Sequence, residues 1–170
     1  MNAPIRSLSV VPANVTHSRD IWRWRNDALT RRMSASDQPI SWETHQHWFE
    51  QCLLDECRRL YVGSLPNKCV NVGICRFDVD DDAASAVVSL SLCSRARGKG
   101  LSSTLLGMSI RALETQTTRT LYATIRKENV PSVRCFSACG FRPISCDEDF
   151  IQYVREGPGY VPPEGSGSRG

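Results

Sequence analysis

Arg95-Ala96-Arg97-Gly98-Lys99-Gly100 stands between the most β-rich stretch of the chain and its most regular helical pattern. Upstream, Ala86-Val87-Val88-Ser89-Leu90-Ser91-Leu92 is aliphatic, β-branched and partly alternating, which predicts a central strand with a covered face. Downstream, Leu101, Leu105, Leu106, Met108, Ile110 and Leu113 recur at helical intervals and predict a helix ending near Thr117. A glycine turn in that setting binds phosphate, because unpaired backbone amides and the positive end of the helix dipole converge on one point. Gly98 and Gly100 remove the Cβ atoms that would hold a pyrophosphate away, while Arg95, Arg97 and Lys99 offer it charge. The spacing excludes two common relatives of such loops. GxxxxGK[ST] is absent, and Ser102 and Ser103 follow Gly100 where GxGxxG would need another glycine.

Working outward, the chain reads as α/β. Residues 1–15 suit an initial strand, and Ile21, Trp22, Trp24, Ala28 and Leu29 place a helix over 18–33 behind a Ser18 cap. A second helix is expected from Ser41, with Glu43 in its first turn, to about Cys57. Leu60 to Gly63 and Val70 to Phe77 form the arms of a hairpin, and 78–82 an acidic turn. Leu121 to Ile125 is a strand, Pro131 to Ala138 a helix stopped by Gly140, and 141–154 a last pair of strands. One domain, 1–156, is expected, followed by a flexible Gly/Pro/Ser-rich tail at 157–170.

The bulk numbers exclude several classes of function. A net charge of +3, with basic and acidic residues interspersed, does not call for nucleic acid. Neither a signal peptide nor an apolar run of about 20 residues is present, so a cytoplasmic protein with no membrane partner is expected. The eight cysteines form no CxxC pair and none has a histidine at ligand spacing. No metal is expected, and the thiols read as small buried hydrophobes.

Three segments together resemble the GNAT superfamily of acyltransferases. Arg95 to Gly100 is similar to its [Q/R]-x-x-G-x-[G/A] signature for the pyrophosphate of coenzyme A. Asn129-Val130-Pro131-Ser132, Phe136 and Gly140-Phe141 resemble its N-x-x-S and [Y/F]-x-x-x-G-F elements. Trp22-Arg23-Trp24-Arg25-Asn26 and His45-Gln46-His47-Trp48-Phe49 look like the opening of its amino-sugar and ribosomal-protein N-acetyltransferase branches.

The resemblance implies a GNAT fold: a mixed, mostly antiparallel sheet, splayed at the cofactor site and flanked by about four helices. It implies acetyl-CoA held by the backbone of Leu90 and Leu92, by Arg95, Arg97, Gly98, Lys99 and Gly100, by the first helical turn at Leu101, Ser102 and Ser103, and by Asn129, Ser132 and Phe136. Transfer of acetyl to an amine needs a neutral amine, a donor for the developing oxyanion and a proton for the leaving thiolate. Candidates for the base are Glu43, His45, His47 and Glu128; Ser132, Ser137 or an ordered water is a candidate donor to the thiolate, which can also leave unaided. Phe136 departs from the family, because many members carry a tyrosine there and phenylalanine has no hydroxyl. Trp24, Arg25, Asn26 and Trp48 are candidate acceptor contacts, although aromatics at helical spacing also suit a core.

The acceptor implied is the amine of a nucleotide-linked amino sugar. A protein N-terminus or other small amine, and a non-catalytic coenzyme A binding module, are the alternatives. The assembly expected is a monomer or homodimer.

Overall fold

Alternating side-chain direction along the inner strands decides which helices cover which face. The computed structural model describes residues 8–68, 70–116 and 119–157. They form a seven-stranded sheet from β1 (Ser9–Pro12), β2 (Arg58–Leu65), β3 (Val70–Asp80), β4 (Ser85–Leu92), β5 (Thr120–Arg126), β6 (Arg142–Cys146) and β7 (Phe150–Arg155). The order is β1-β2-β3-β4-β5-β7-β6, antiparallel throughout except for the parallel pair β4 and β5. Five helices accompany it: α1 (Ser18–Asn26), α2 (Ala28–Arg32), α3 (Trp42–Leu54), α4 (Leu101–Glu114) and α5 (Val130–Ala138).

On one face, Tyr61, Cys75, Phe77, Val88, Leu121 and Ala123 pack against Leu106, Ile110 and Leu113 of α4 and Cys135 and Phe136 of α5. On the other, Leu60, Val62 and Ile74 meet Ile21 and Trp24 of α1 and Phe49 and Cys52 of α3. The period of two in the strands thus sorts neighbouring residues into separate cores. A parallel β4–β5 connection requires a crossover element, and α4 is that element.

Gly63 and Gly73 are where this packing is tightest. A Cβ on Gly73 would lie 2.5 Å from the Ser91 carbonyl oxygen and 2.7 Å from Leu92 Cδ2, whereas on Gly63 the nearest atom is the movable Leu105 Cδ1 at 2.8 Å. Gly73→Ala is expected to cost about 2–3 kcal/mol and Gly63→Ala about 1 kcal/mol, within the range for overpacking, as read from urea unfolding. Equal losses would show that the Gly73 clash relaxes as easily as a side chain.

Several expectations need correction. The helix over 18–33 is two helices. Asp27 is extended at ψ 134 between them, and its carboxylate caps α2 by accepting from Thr30 N–H at 3.1 Å. Ser18 is not the cap either: Asn14 caps a 3-10 turn at Val15–His17 that runs directly into α1. Ser41 does cap α3, which ends at Leu54 rather than Cys57. The acidic segment 78–82 is partly β3, and α4 ends at Glu114. Cys52, Cys75 and Cys135 are buried hydrophobes, but Cys57 and Cys146 are exposed. Thr117 and residues 158–170 of the expected tail lie outside the described residues. No helix among the described residues is long and apolar enough to cross a membrane.

Candidate functional site

The two parallel strands part company after one turn of pairing. β4 and β5 share register only at Ser85↔Thr120, Ala86↔Leu121 and Val87↔Tyr122. Thr120 N–H donates to the Ala84 carbonyl at 3.1 Å, and Cys93 N–H to the Val72 carbonyl at 2.9 Å. Backbone groups alternate between strand edges, so even-numbered residues of β4 address β5 and odd-numbered ones address β3. Leu90 and Leu92 therefore turn their N–H and C=O into the opening. This is the splay expected of the fold, with backbone donors at its edge.

The α4 N-terminus closes one end of that opening. Gly98 (φ 70°) and Gly100 (φ 72°) are both left-handed, a conformation that L side chains rarely take, and a Cβ on either would meet nothing within 4 Å. The backbone conformation thus favours glycine at both positions, and the space beside them is open. Gly100 makes no side-chain cap and the first turn of α4, with Leu101, Ser102 and Ser103, carries no acid. Its N–H groups and dipole are left for an anion. Arg95 and Lys99 are exposed beside it.

Arg97 is different. Its Nη2 donates to Asp27 Oδ2 at 2.7 Å and to Thr30 Oγ1 at 2.8 Å, tying the glycine turn to the break between α1 and α2. Burial pushes the Asp27 carboxyl up, but the Arg97 and Thr30 hydrogen bonds outweigh it and leave the pKa below its ordinary value. The side chain of Arg97 is thereby committed to Asp27, a correction to the phosphate role expected of it.

On α5, Asn129 caps the helix, its Oδ1 accepting from Ser132 N–H at 3.3 Å, and both residues are half-buried. Phe136 is buried, and its ring meets Phe141 edge-on at 5.0 Å. It fills core, so no proton donor replaces the missing hydroxyl at that position.

The candidates on α1 and α3 divide sharply. Trp24 is buried in the α1–α3 core, which removes it as an acceptor contact. Asn26 is a clip: its side chain donates to Ile40 O and accepts from Ile40 N, each at 2.8 Å, and Trp22 Nε1 joins the same carbonyl. Trp48 is half-buried against the core, with the Arg76 guanidinium 5.8 Å from its ring. His45 is corrected from base to structural residue. It is 2% exposed, stacks with Trp42 and Phe49 at 5.7 Å, and contacts the Ser18 carbonyl through Nε2 at 3.0 Å. His47 and Glu43 are exposed on α3.

Burial lowers the His45 pKa, opposed in part by the Ser18 carbonyl. The unfolded chain, with an ordinary value of about 6.5, then binds a proton that the folded chain refuses. Stability contributed here is present above about pH 6.5 and is lost as pH falls below it, levelling off once the folded-state value is passed. Denaturation of His45→Phe between pH 7 and 5 should show a shallower loss than wild type. Parallel curves would place the sensitivity elsewhere.

Glu128 lies just beyond the diverging end of β5, where a cavity of about 490 Å³ is lined by Arg32, Ala35, Ser36, Asp37, Arg126 and Glu128. Guanidinium groups brace its rim: Arg25 Nη2 donates to Ser36 O (3.2 Å), Arg31 Nη1 to Asp37 O (2.8 Å) and Arg126 Nε to Ser34 O (3.2 Å). Of these, sequence reasoning singled out only Arg25. Arg76 was also missed, although an arginine between Cys75 and Phe77 in an otherwise apolar strand is a visible signal.

Comparison with known proteins agrees with this geometry. The acetyltransferase (GNAT) domain family matches residues 8–142. Spermidine N-acetyltransferase from Vibrio cholerae in complex with CoA and spermine has a similar structure, with a TM-score of 0.79 at 15% identity over 88% of this chain and 95% of that one. A dodecameric form of spermidine N-acetyltransferase from the same organism superposes with a TM-score of 0.73 at 18% identity, over 88% and 93%. Among curated protein sequences none matches significantly. With a splayed parallel pair, a left-handed glycine turn opening α4, and the domain match across most of its length, the chain belongs to the GNAT family of acetyltransferases and is an N-acyltransferase.

Proposed function

We propose that the protein transfers acetyl from acetyl-CoA directly to the primary amine of a nucleotide-linked amino sugar. The cofactor's fit rests on Gly98 and Gly100, whose left-handed backbones leave open space at an uncapped helix N-terminus. Arg95, Lys99 and the amides of Leu101, Ser102 and Ser103 would hold its pyrophosphate, and the backbones of Leu90 and Leu92 its pantetheine amides. Bound there, the thioester supplies an activated acetyl group. As the amine bonds to the carbonyl carbon and the C–S bond breaks, Glu128 takes the proton that the amine must lose, and the backbone donors at the β4 edge polarise the carbonyl. Coenzyme A leaves as a thiolate that takes its proton from solvent.

The observation that carries the choice of acceptor is Arg25. It is a half-buried guanidinium with no carboxylate partner among the described residues, and burial and repulsion from Arg31 and Arg76 both lower its pKa. A polyamine brought near it would add like charge, at about 2 kcal/mol for each pair of unit charges 8 Å apart in an effective dielectric of 20. An acceptor with phosphates instead supplies the missing anion. Thiol release from acetyl-CoA, measured with UDP-amino sugars, N-terminal peptides and spermidine, tests the reading. Turnover is expected on a UDP-amino sugar, and turnover on spermidine or a peptide alone would refute it.

A further inference from the structure

Three buried polar atoms without a hydrogen-bond partner among the described residues belong to elements that pack together where α1 crosses the sheet: Arg25 Nη1 on α1, Arg76 Nε on β3 and Ser91 Oγ on β4. Their placement follows from the fold. Ile21 of α1 and Ile74 of β3 share one core, and α1 packs against both β3 and β4. Arg25 lies one helical turn beyond Ile21 on the same side of α1. Arg76 is the next residue after Ile74 on the same sheet face, and Ser91 is the cross-strand partner of Ile74. Arg25 and Arg76 are close enough to repel each other.

A buried donor left unpaired loses its hydration without replacement, and the loss is greater when the donor is charged. The only carboxylate paired with Arg76 among the described residues is Asp78 at 3.0 Å, which also lies 3.8 Å from Arg58, and the remaining contact of its guanidinium is with the Trp48 ring at 5.8 Å. Among the described residues Arg25 has nothing stronger than the neutral Ser36 carbonyl, in an exposed segment. A carbonyl on a guanidinium is a weak substitute for an anionic oxygen. Two cations and a hydroxyl are thus contributed by α1, β3 and β4 to the same side of the sheet, with Ser91 between Leu90 and Leu92 in the chain.

We propose that Arg25, Arg76 and Ser91 form the receptor for the diphosphate of the acceptor, with an anionic oxygen replacing the Ser36 carbonyl on Arg25. This rests on the nucleotide-sugar reading and adds the residues that impose it. Those residues set acceptor affinity, and they are distinct from the glycine turn that would hold the donor's pyrophosphate.

The test measures binding of UDP and of inorganic pyrophosphate by calorimetry to the full chain with coenzyme A saturating, so that the glycine turn is already filled. Wild type is expected to bind both probes. Arg25→Gln and Arg76→Gln should each weaken UDP binding at least tenfold and Ser91→Ala about threefold, with coenzyme A affinity unchanged. KM for a UDP-amino sugar should rise in step while kcat stays within threefold. Arg25→Lys and Arg76→Lys, which keep the charge, serve if a glutamine variant loses coenzyme A binding, and should retain most of the affinity for pyrophosphate. If the variants bind UDP as wild type does, or wild type binds neither probe, the receptor is wrong. Probe binding that the variants lose, without acetylation of any UDP-amino sugar, leaves the anion receptor standing and removes the sugar. Acetylation of the sugar with an unchanged KM in every variant does the reverse.

Discussion

Gly100→Asp is expected to weaken acetyl-CoA binding about 100-fold, roughly 2.7 kcal/mol, while leaving the melting temperature within a few degrees of wild type. The two effects separate because of where the side chain goes. Gly100 is left-handed at φ 72°, a conformation that aspartate tolerates better than other non-glycine residues, and its Cβ would meet nothing within 4 Å. A carboxylate at the N-terminus of α4, whose first turn has no acid of its own, also favours the helix by about 0.3–1 kcal/mol. For the fold, strain and dipole nearly offset. For a pyrophosphate they do not, since the new charge occupies the same open space and repels it by about 3 kcal/mol at 5 Å and an effective dielectric of 20. Calorimetric titration with coenzyme A and a thermal melt check both halves. Undiminished affinity would move the cofactor away from this turn.

That turn was also the most legible feature of the sequence, for a physical reason. The cofactor role proposed for it depends on backbone conformation, and backbone conformation at Gly98 and Gly100 is written directly in residue type. The strand before it and the helix after it carry the two periodicities that pattern reading detects best, and the structure gives both. The acceptor side was read less well because its residues act through tertiary partners. Asn26 resembles a ligand-binding residue in sequence, yet it spends both ends of its amide on Ile40, fourteen residues away. His45 has the right intrinsic pKa for a base but sits in a stack of Trp42, Trp48 and Phe49 that only the folded α3 assembles. Arg97 offered charge to the cofactor in one dimension and meets Asp27, seventy residues earlier, in three. Asp27 could have been found, since Asn-Asp followed by Ala-Leu reads as a helix cap inside a helical pattern.

Glu128→Gln is expected to lower kcat about 100-fold at pH 7 with little change in coenzyme A affinity. Four side chains on the sequence qualified as the base, and position now distinguishes them. His45 is buried and occupied; His47, Glu43 and Glu128 are all exposed, but of these Glu128 lines the cavity at the diverging end of β5, whereas His47 and Glu43 lie on α3 outside that lining. Glutamine keeps the size and hydrogen-bonding reach of glutamate but cannot take a proton, so the loss reads the chemistry rather than the packing. A positioned general base contributes about 10²–10⁴ in rate, and the lower end suits a site open to water, where solvent takes over part of the role. The pH profile separates base from bystander. At neutral pH the acceptor amine arrives largely as ammonium and depends on the base to shed its proton. As pH rises, solution delivers more of it already neutral, so the defect of Glu128→Gln should shrink steadily towards pH 9. A substitution that merely misplaced the acceptor would show a defect constant with pH. His47→Ala should stay within twofold of wild type throughout. The opposite pattern, with His47→Ala crippled and Glu128→Gln active, would transfer the base to α3 and leave the cavity at the end of β5 with a role in binding alone.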